Sequence, residues 1–264
     1  MAENILKKII EKKKLRIGEL KKNVSLENLK EKINQCKSYL NFKDKIIRNN
    51  LNNKISIIAE IKKASPSAGI IIENYNPVEI AKKYHENNVT CLSVLTEEDF
   101  FLGKLEHISD IKKKIKLPIL CKDFFVDIFQ VYLAKSYGAD AVLIILAGIN
   151  DELANKIYLE ASKLNMTIIV EVHTAEEASK ALNFKNALIG INNRNLKTLK
   201  TDINKTLDIY EILKNHKGPL ISESGIQSKD EILKIENKTN IKNFLIGESL
   251  LKNLEKNSIL SILK

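Results

Sequence analysis

The sequence predicts an α/β fold, a (β/α)8 barrel (TIM barrel) with a helical N-terminal extension. From residue 55 onward the chain repeats a short apolar strand, a loop and an amphipathic helix, eight times in all. Parallel strands joined by helices form either an open doubly wound sheet or a closed barrel. Eight units of similar length favour the barrel, and residues 64–67 read Ala-Ser-Pro-Ser where an open sheet would have a glycine-rich turn. We expect one domain over residues 1–264, of which residues 1–50 are the extension.

The extension is predicted to contain two helices. Residues 1–24 carry Ile5, Ile9 and Ile10 on one face and lysines on the other, and Ser25 is suited to cap a second helix. The first helix could lie on a membrane surface. Its glutamates and modest apolar bulk favour packing against its own domain instead.

The strands and helices of the barrel follow from apolar runs and helical periodicity. The strands are predicted at residues 55–59, 90–95, 118–121, 141–146, 167–170, 188–191, 220–222 and 243–246. The helices between them are predicted at residues 77–87, 105–115, 127–137, 151–164, 175–182, 206–214, 228–235 and 249–260. Pro77 suits a first helical turn, and Gly138 suits a helix C-terminus.

The first strand leads into two charged residues, Glu60 and Lys62, which period-two alternation places on one face with Ile61 on the other. Taken alone, this is as compatible with an exposed ion pair of little energetic value as with a functional site. Most other strands also end in polar residues, and a barrel gathers its strand ends at one mouth. Glu60, Lys62, Lys122, Glu171 and Asn192 would then form an acid–base set. His173 is a candidate general base, but its place beyond the strand favours a structural or solvent-facing histidine.

Two glycines follow the last two strands and indicate an anion site. Ser224-Gly225 and Gly247 lie where each strand turns toward a helix, and glycine allows a ligand close to the backbone N–H groups. Loops after the seventh and eighth strands commonly bind phosphate in this fold. Ser65 could add a hydroxyl donor.

Composition limits the classes of partner and compartment. The net charge is +10, and a positive field favours anionic partners. The lysines are dispersed and aromatic residues are few, which disfavours nucleic-acid binding, and biased composition explains most of the charge.

No apolar run reaches the length of a membrane span, and the N-terminus lacks the apolar block of a signal peptide. Three scattered cysteines without metal-type spacing are typical of reduced thiols in the cytoplasm.

Seven blocks of the sequence, in order, resemble indole-3-glycerol-phosphate synthases. They are residues 59–67, 92–97, 118–124, 170–172, 190–194, 223–226 and 245–248. The lysine-rich extension is similar to that of the family, although this match is weaker. Cys121 and Asn195 depart from the residues common in the family at those positions.

The resemblance implies closure of an indole ring. The substrate would be 1-(2-carboxyphenylamino)-1-deoxyribulose 5-phosphate, and the products indole-3-glycerol phosphate, carbon dioxide and water. Lys122 would be the general acid on the ketone, and Glu171 the acid or base of dehydration. Lys62 would bind the substrate carboxylate, although which of the two lysines donates each proton stays open.

The same resemblance implies the rest of the site. Further catalytic residues would be Glu60, Asn192 and Ser224, and the substrate-binding set would be Ser65, Phe101, Phe124, Leu143, Arg194, Glu223, Gly225, Gly247 and Glu248. No cofactor and no metal are implied, and the expected partner is a small anionic phosphorylated substrate bound by a monomer, with no nucleic acid and no membrane. Another phosphate-binding barrel of tryptophan biosynthesis is the nearest alternative. It would share Gly225 and Gly247 without requiring Glu60, Lys62 and Lys122 together.

Overall fold

The computed structural model describes residues 5–36, 39–254 and 258–263, and it contains a closed barrel of eight parallel strands. In chain order these are β1 (Ser56–Ile61), β4 (Cys91–Leu95), β5 (Ile119–Lys122), β6 (Ala141–Ile145), β7 (Thr167–Val172), β8 (Leu188–Asn192), β9 (Leu220–Glu223) and β10 (Asn243–Ile246). Each strand pairs with the next, and β10 returns to pair with β1. The predicted (β/α)8 barrel is therefore confirmed. A hairpin of β2 (Ala64–Ser65) and β3 (Gly69–Ile70), which the sequence did not predict, follows β1.

Five strands extend one or two residues beyond their predicted ends, which were placed where polar residues begin. The residues gained include Glu60, Lys122, Glu171, Asn192 and Glu223. Their backbones pair with neighbouring strands, as Glu171 does with Gly190. The polar side chains at the mouth are therefore carried by ordered strand rather than by loops, which fixes their positions relative to one another.

The helices agree with the prediction along most of the chain. They are α1 (Ile5–Asn23), α2 (Leu26–Gln35), α3 (Phe42–Leu51), α4 (Pro77–Glu86), α5 (Glu106–Lys112), α6 (Phe129–Ser136), α7 (Asp151–Lys163), α8 (Ala175–Ala181), α9 (Asn204–Leu213), α10 (Lys229–Thr239) and α11 (Glu248–Leu251). None of these described helices is both long and apolar enough to cross a membrane.

The last predicted helix, residues 249–260, is wrong as a continuous element. In the structure α11 ends at Leu251, and a short 3-10 helix occupies Ile259–Leu263. Residues 255–257 lie outside the described part of the chain, as do residues 1–4 of the predicted first helix.

The extension contains a third helix, α3, that the sequence analysis missed. The side chain of Asn41 caps it by accepting a hydrogen bond from the backbone N–H of Asp44. Phe42 and Ile46, one helical turn apart, are fully buried and join the hydrophobic cluster inside the barrel. The carbonyl of Phe42 lies next to Cys91 at the start of β4. Thus α3 closes the amino-terminal end of the barrel, and the opposite end is left for the site.

Candidate active site

Two adjoining chambers open at the carboxyl ends of the strands. The apolar chamber is lined by Leu95, Phe101, Phe124, Leu143 and Ile145 and contacts Ile5, Leu6 and Ile9 of α1. The polar chamber is lined by residues that include Thr201, Gly225, Gln227, Gly247, Glu248 and Ser249. The two chambers share a wall of Glu60, Lys62, Ser67, Arg194, Leu199 and Ser224. A ligand with an apolar end and a polar end can therefore occupy both chambers.

Glu60 and Lys62 form a buried ion pair on the shared wall. Lys62 Nζ donates to Glu60 Oε1 at 2.5 Å, and both residues are less than a tenth exposed. Burial acts to raise the pKa of Glu60, but Lys62 and Lys122 outweigh it and lower that pKa. The carboxylate is therefore ionised, and the same-face placement predicted from the sequence is confirmed.

Lys122 lies on the floor of the apolar chamber between two carboxylates. Its Nζ donates to Glu223 Oε2 at 2.7 Å and to Glu171 Oε2 at 3.1 Å. Burial lowers the pKa of Lys122, but Glu171, Glu223 and Glu60 together raise it above its ordinary value. Glu223, which the family resemblance placed among the substrate-binding residues, is the nearer of the two carboxylates that accept a hydrogen bond from Lys122. The ammonium group is charged before any substrate arrives.

The two carboxylates on Lys122 differ in their other partners. Glu171 Oε1 accepts a hydrogen bond from Asn192 Nδ2 at 3.0 Å and lies 3.3 Å from His173 Nε2. Glu223 Oε1 is buried without a hydrogen-bond partner among the described residues. Against burial, Lys122 and His173 lower the pKa of Glu171. Burial and the charge of Glu171 raise the pKa of Glu223 despite Lys122. The pair therefore separates into one ionised carboxylate and one that readily holds a proton.

The buried position of Glu223 depends on Gly190 in β8. A Cβ atom at residue 190 would overlap the carboxylate of Glu223, so a side chain there would displace it. A glycine inside an otherwise apolar strand often marks such a close approach. Gly190, inside the apolar run of residues 188–191, is thus a sequence signal for the buried carboxylate that was not among the predicted site residues.

Two consecutive residues of the polar chamber have a left-handed backbone conformation. Ser224 and Gly225 adopt positive φ angles of 68° and 79°, respectively. A Cβ atom at Gly247 would overlap the carboxylate of Glu60, so this glycine makes room for the Glu60–Lys62 ion pair. Glu248 Oε1 accepts a hydrogen bond from Lys252 at 2.6 Å, which keeps that acid paired at the chamber edge.

Arg194 and the aromatic residues complete the walls. Arg194 Nη1 donates to the carbonyl of Leu199 at 2.7 Å, and its backbone N–H donates to Asn192 Oδ1. The ring centroids of Phe101 and Phe124 are 6.3 Å apart in a tilted arrangement. The two rings therefore contact each other and form one aromatic wall of the apolar chamber.

Fourteen of the fifteen predicted site residues line one chamber or both. Glu223 is the exception, because it lies fully buried under Lys122. Ser65 lines the apolar chamber, whereas Ser67, which the sequence analysis did not single out, lines both. The predicted solvent-facing alternative for His173 is wrong: the residue is 7% exposed and lies beside Glu171.

Helix α1 is held over the apolar chamber by a buried lysine. Lys13 is 2% exposed, and its Nζ lies 2.6 Å from Glu98 Oε2 and 2.8 Å from Asp123 Oδ1. Asp123 also accepts a hydrogen bond from Thr96 Oγ1 at 2.7 Å and directly follows Lys122 in the chain. The extension is thereby joined to the strand that carries Lys122, a contact that no sequence pattern indicated.

The described residues contain no group of three or more His, Cys, Asp or Glu side chains arranged to hold a metal ion. The charged groups of the site pair instead with one another, as Lys122 does with Glu171 and Glu223.

A (β/α)8 barrel with paired lysines and carboxylates beside a polar chamber at the carboxyl ends of its strands is typical of an enzyme that uses acid–base chemistry on small molecules. The model of one family, indole-3-glycerol phosphate synthase, matches residues 6–262. The chain is 42% identical over 258 residues to the indole-3-glycerol phosphate synthase of Prochlorococcus marinus subsp. pastoris, covering 95% of this chain and 86% of that one. It is also 42% identical to that of Clostridium acetobutylicum, covering 95% and 94%. The chain belongs to the indole-3-glycerol phosphate synthase family, carboxy-lyases of tryptophan biosynthesis.

Solved structures show the same fold in more distant proteins. The tryptophan synthase alpha chain of Legionella pneumophila matches with a TM-score of 0.63 at 14% identity, covering 85% of this chain and 96% of that chain. A mutant tryptophan synthase alpha subunit of Pyrococcus furiosus matches with a TM-score of 0.58 at 11% identity, covering 80% and 95%. At these identities the likeness supports the barrel fold alone.

Proposed function

We propose that the two chambers together bind 1-(2-carboxyphenylamino)-1-deoxyribulose 5-phosphate. The aromatic ring fits the apolar chamber, whose walls include the contacting rings of Phe101 and Phe124 and the side chain of Leu143. The phosphate fits the polar chamber, where Gly225 and Gly247 allow backbone N–H groups to approach an anion. The sugar carbons then run along the shared wall.

The observation that most supports this function is the position of the charged Lys122 side chain in the apolar chamber. The ring carbon that bears the carboxylate attacks the ketone, and negative charge develops on the ketone oxygen. A charged ammonium group on the chamber floor can donate a proton to that oxygen as the new carbon–carbon bond forms. Glu171 and Glu223 keep Lys122 charged until then, and carbon dioxide leaves to restore the aromatic ring.

The remaining roles follow from which groups face the chambers. Lys62 faces both chambers and is positioned to bind the carboxylate of the substrate, with Glu60 orienting its ammonium group. Glu171, ionised and close to Lys122, exchanges the protons of the dehydration step. Asn192 and Ser224 contact the sugar and ring portions, and Arg194 supports the shared wall.

Replacing each lysine by methionine separates the two roles, because methionine keeps the stem and removes the proton. Lys122→Met should lower kcat by roughly a hundredfold or more, the usual scale for loss of a general acid, with a much smaller change in KM. Lys62→Met should also raise KM, since a carboxylate partner is lost. Both are measured by the fluorescence of the indole product. If Lys122→Met kept its kcat and lost only affinity, Lys122 would be an electrostatic anchor and the donor would be Lys62.

We propose that this enzyme acts in the cytoplasm as a monomer folded as one domain. The buried free thiols of Cys91 and Cys121 suit a reducing compartment. Lys13 of α1 and the buried residues Phe42 and Ile46 of α3 attach the extension to the barrel. This supports an extension and barrel that unfold together as one domain. Limited proteolysis that gave two stable halves split near the middle of the chain would contradict the single domain, and light scattering measures the mass in solution.

A further inference from the structure

His173 lies behind Glu171 and lines neither chamber of the described structure. The two residues are two positions apart at the end of β7, so their side chains leave the backbone on the same side. His173 Nε2 is 3.3 Å from Glu171 Oε1, and Nδ1 is 3.5 Å from Glu177 Oε2 in α8. Each ring nitrogen therefore lies within ion-pair distance of a carboxylate oxygen, and neither makes a hydrogen bond of good geometry among the described residues.

The contacts around the ring define its charge state. A neutral imidazole has one N–H donor, whereas the imidazolium ion has two and can satisfy both carboxylates. Burial lowers the pKa of His173, but Glu171 and Glu177 together raise it to about 9. Each of these acids also interacts with a lysine: Lys122 contacts Glu171, and the charge of Glu177 acts on Lys205 of α9. The backbone N–H of His173 also donates to Glu177 Oε2 at 2.7 Å, which ties the acid to the strand end.

The asymmetry between Glu171 and Glu223 has its source in this arrangement. Both carboxylates contact Lys122 at similar distances, so Lys122 alone does not distinguish them. Only Glu171 has the imidazole and the amide of Asn192 on its second oxygen, whereas Glu223 Oε1 has no partner among the described residues. We propose that His173, supported by Glu177, is a positioning residue that holds Glu171 as the charged and oriented carboxylate of the pair beside Lys122. This inference rests on the proposed role of Glu171 as the acid or base of the reaction.

The test is the pH profile of His173→Gln, which keeps an N–H donor and removes the positive charge. Without the imidazolium, Glu171 takes up a proton at higher pH, so the acid limb of kcat should move upward by about one pH unit or more. At neutral pH Glu171 stays ionised, so the expected fall in kcat, roughly tenfold, comes from lost orientation of its carboxylate, while KM stays within about twofold because His173 does not line a chamber. His216→Gln is the matched control: His216 lies near Ala187, just before β8 begins at the opposite end of the barrel, and its loss should leave the acid limb in place.

Two further measurements keep the inference testable if His173→Gln folds poorly. Glu177→Gln, at a less buried position, removes one of the two carboxylates that keep His173 protonated. His173 should then lose its proton at a lower pH, and the decrease of kcat on the alkaline side of the profile should begin at a lower pH. In the unaltered enzyme, 15N NMR of the imidazole should show both ring nitrogens of His173 protonated at neutral pH. A neutral ring there, or an acid limb unmoved in His173→Gln, would overturn the inference.

Glu171→Gln in the same assay separates the two proposals. If Glu171→Gln loses kcat while His173→Gln keeps the normal profile, Glu171 has its proposed role and His173 does not position it. If Glu171→Gln keeps a normal kcat, the proposed role of Glu171 is wrong, whatever state the imidazole shows.

Discussion

The two ends of the barrel bury carboxylates in different ways. At the amino-terminal end, Asp140 precedes β6 and accepts hydrogen bonds from the backbone N–H groups of Leu40 and Ile119 at 2.6 and 2.8 Å. Its second oxygen also pairs with Lys112. At the carboxyl-terminal end, Glu223 contacts Lys122 through one oxygen and has no partner for the other among the described residues. One carboxylate is fully hydrogen-bonded, and the other is not.

This difference indicates a structural role for the Asp140 carboxylate and a role in the reaction for the Glu223 carboxylate. The donors around Asp140 are two backbone N–H groups and the side chain of Lys112. Together they join the extension, α5 and β5 at one point. An incompletely satisfied buried acid costs free energy, and such groups concentrate at sites where a ligand or a proton completes them. We therefore expect the buried acid at the amino-terminal end to stabilise the fold and the incompletely satisfied acid at the carboxyl-terminal end to take part in the reaction.

The largest expected effects come from exchanging each acid for its amide. Asp140→Asn has one acceptor oxygen for three donors, so a buried donor faces an NH2 group. Loss of one partner from this buried set of hydrogen bonds costs about 3 kcal/mol, and the Tm should fall by roughly 6 to 12 °C, while kcat is retained.

Glu223→Gln still accepts a hydrogen bond from Lys122, so its Tm should change little. Its kcat should fall roughly tenfold or more, because the proton balance around Lys122 changes.

Differential scanning calorimetry and steady-state kinetics on both variants check this prediction. A Glu223→Gln enzyme that lost stability but kept its kcat would place Glu223 with Asp140 as a structural acid. The contrast between the two ends would then be wrong.

The fold was predictable because the eight-fold strand–helix pattern is strongly periodic. The parts that were missed depend on local detail. Helix α3 is short and mostly polar, and only its Asn41 cap and the spacing of Phe42 and Ile46 indicate it. The strand ends were placed too early because polarity was interpreted as a loop, whereas pairing in a barrel continues through Glu60 and Glu171. Period-two alternation indicates which face a residue occupies and not where the strand stops.

Most residues that line the two chambers were predictable from the sequence, and their contacts with one another were not. Family motifs named Lys122, Glu171 and Glu223, but no pattern indicated that Glu223 lies beneath Lys122 rather than in the chamber. The role of Gly190 becomes clear only when the carboxylate that fills its space is known. The contact of Lys13 with Asp123 joins residues more than a hundred positions apart, which no local sequence signal can show.

Glycines at the two ends give a second test of the comparison. Gly247→Val should overlap Glu60 and block the polar chamber, so KM should rise by roughly tenfold or more with weaker inhibition by inorganic phosphate. Gly218 lies at the amino-terminal end, where a Cβ atom would come 2.6 Å from the carbonyl oxygen of Ala187. Gly218→Val should lower Tm and leave KM unchanged. Unchanged KM and phosphate inhibition in Gly247→Val would contradict the phosphate assignment.

The smallest expected effect concerns two histidines, one at each end, whose pKa values move in opposite directions. At the amino-terminal end, burial lowers the pKa of His216 although the Ala187 carbonyl counteracts it. At the carboxyl-terminal end, Glu171 and Glu177 raise the pKa of His173 to about 9 against burial. The stabilising effect of neutral His216 is therefore present above the pKa of an unfolded histidine and is lost as the pH falls through its folded value. The effect of charged His173 is complete below the unfolded value of about 6.5 and is lost as the pH rises through about 9.

Chemical denaturation at a series of pH values resolves the two histidines. The free energy of unfolding should fall by about 1 kcal/mol between about pH 8 and pH 9, and His173→Gln should flatten this part of the curve. His216→Gln should leave the alkaline part unchanged and reduce the loss of stability on the acid side. If His173→Gln retained the full alkaline decline, another group would be responsible, and the imidazole behind Glu171 would be neutral at the pH where the enzyme works.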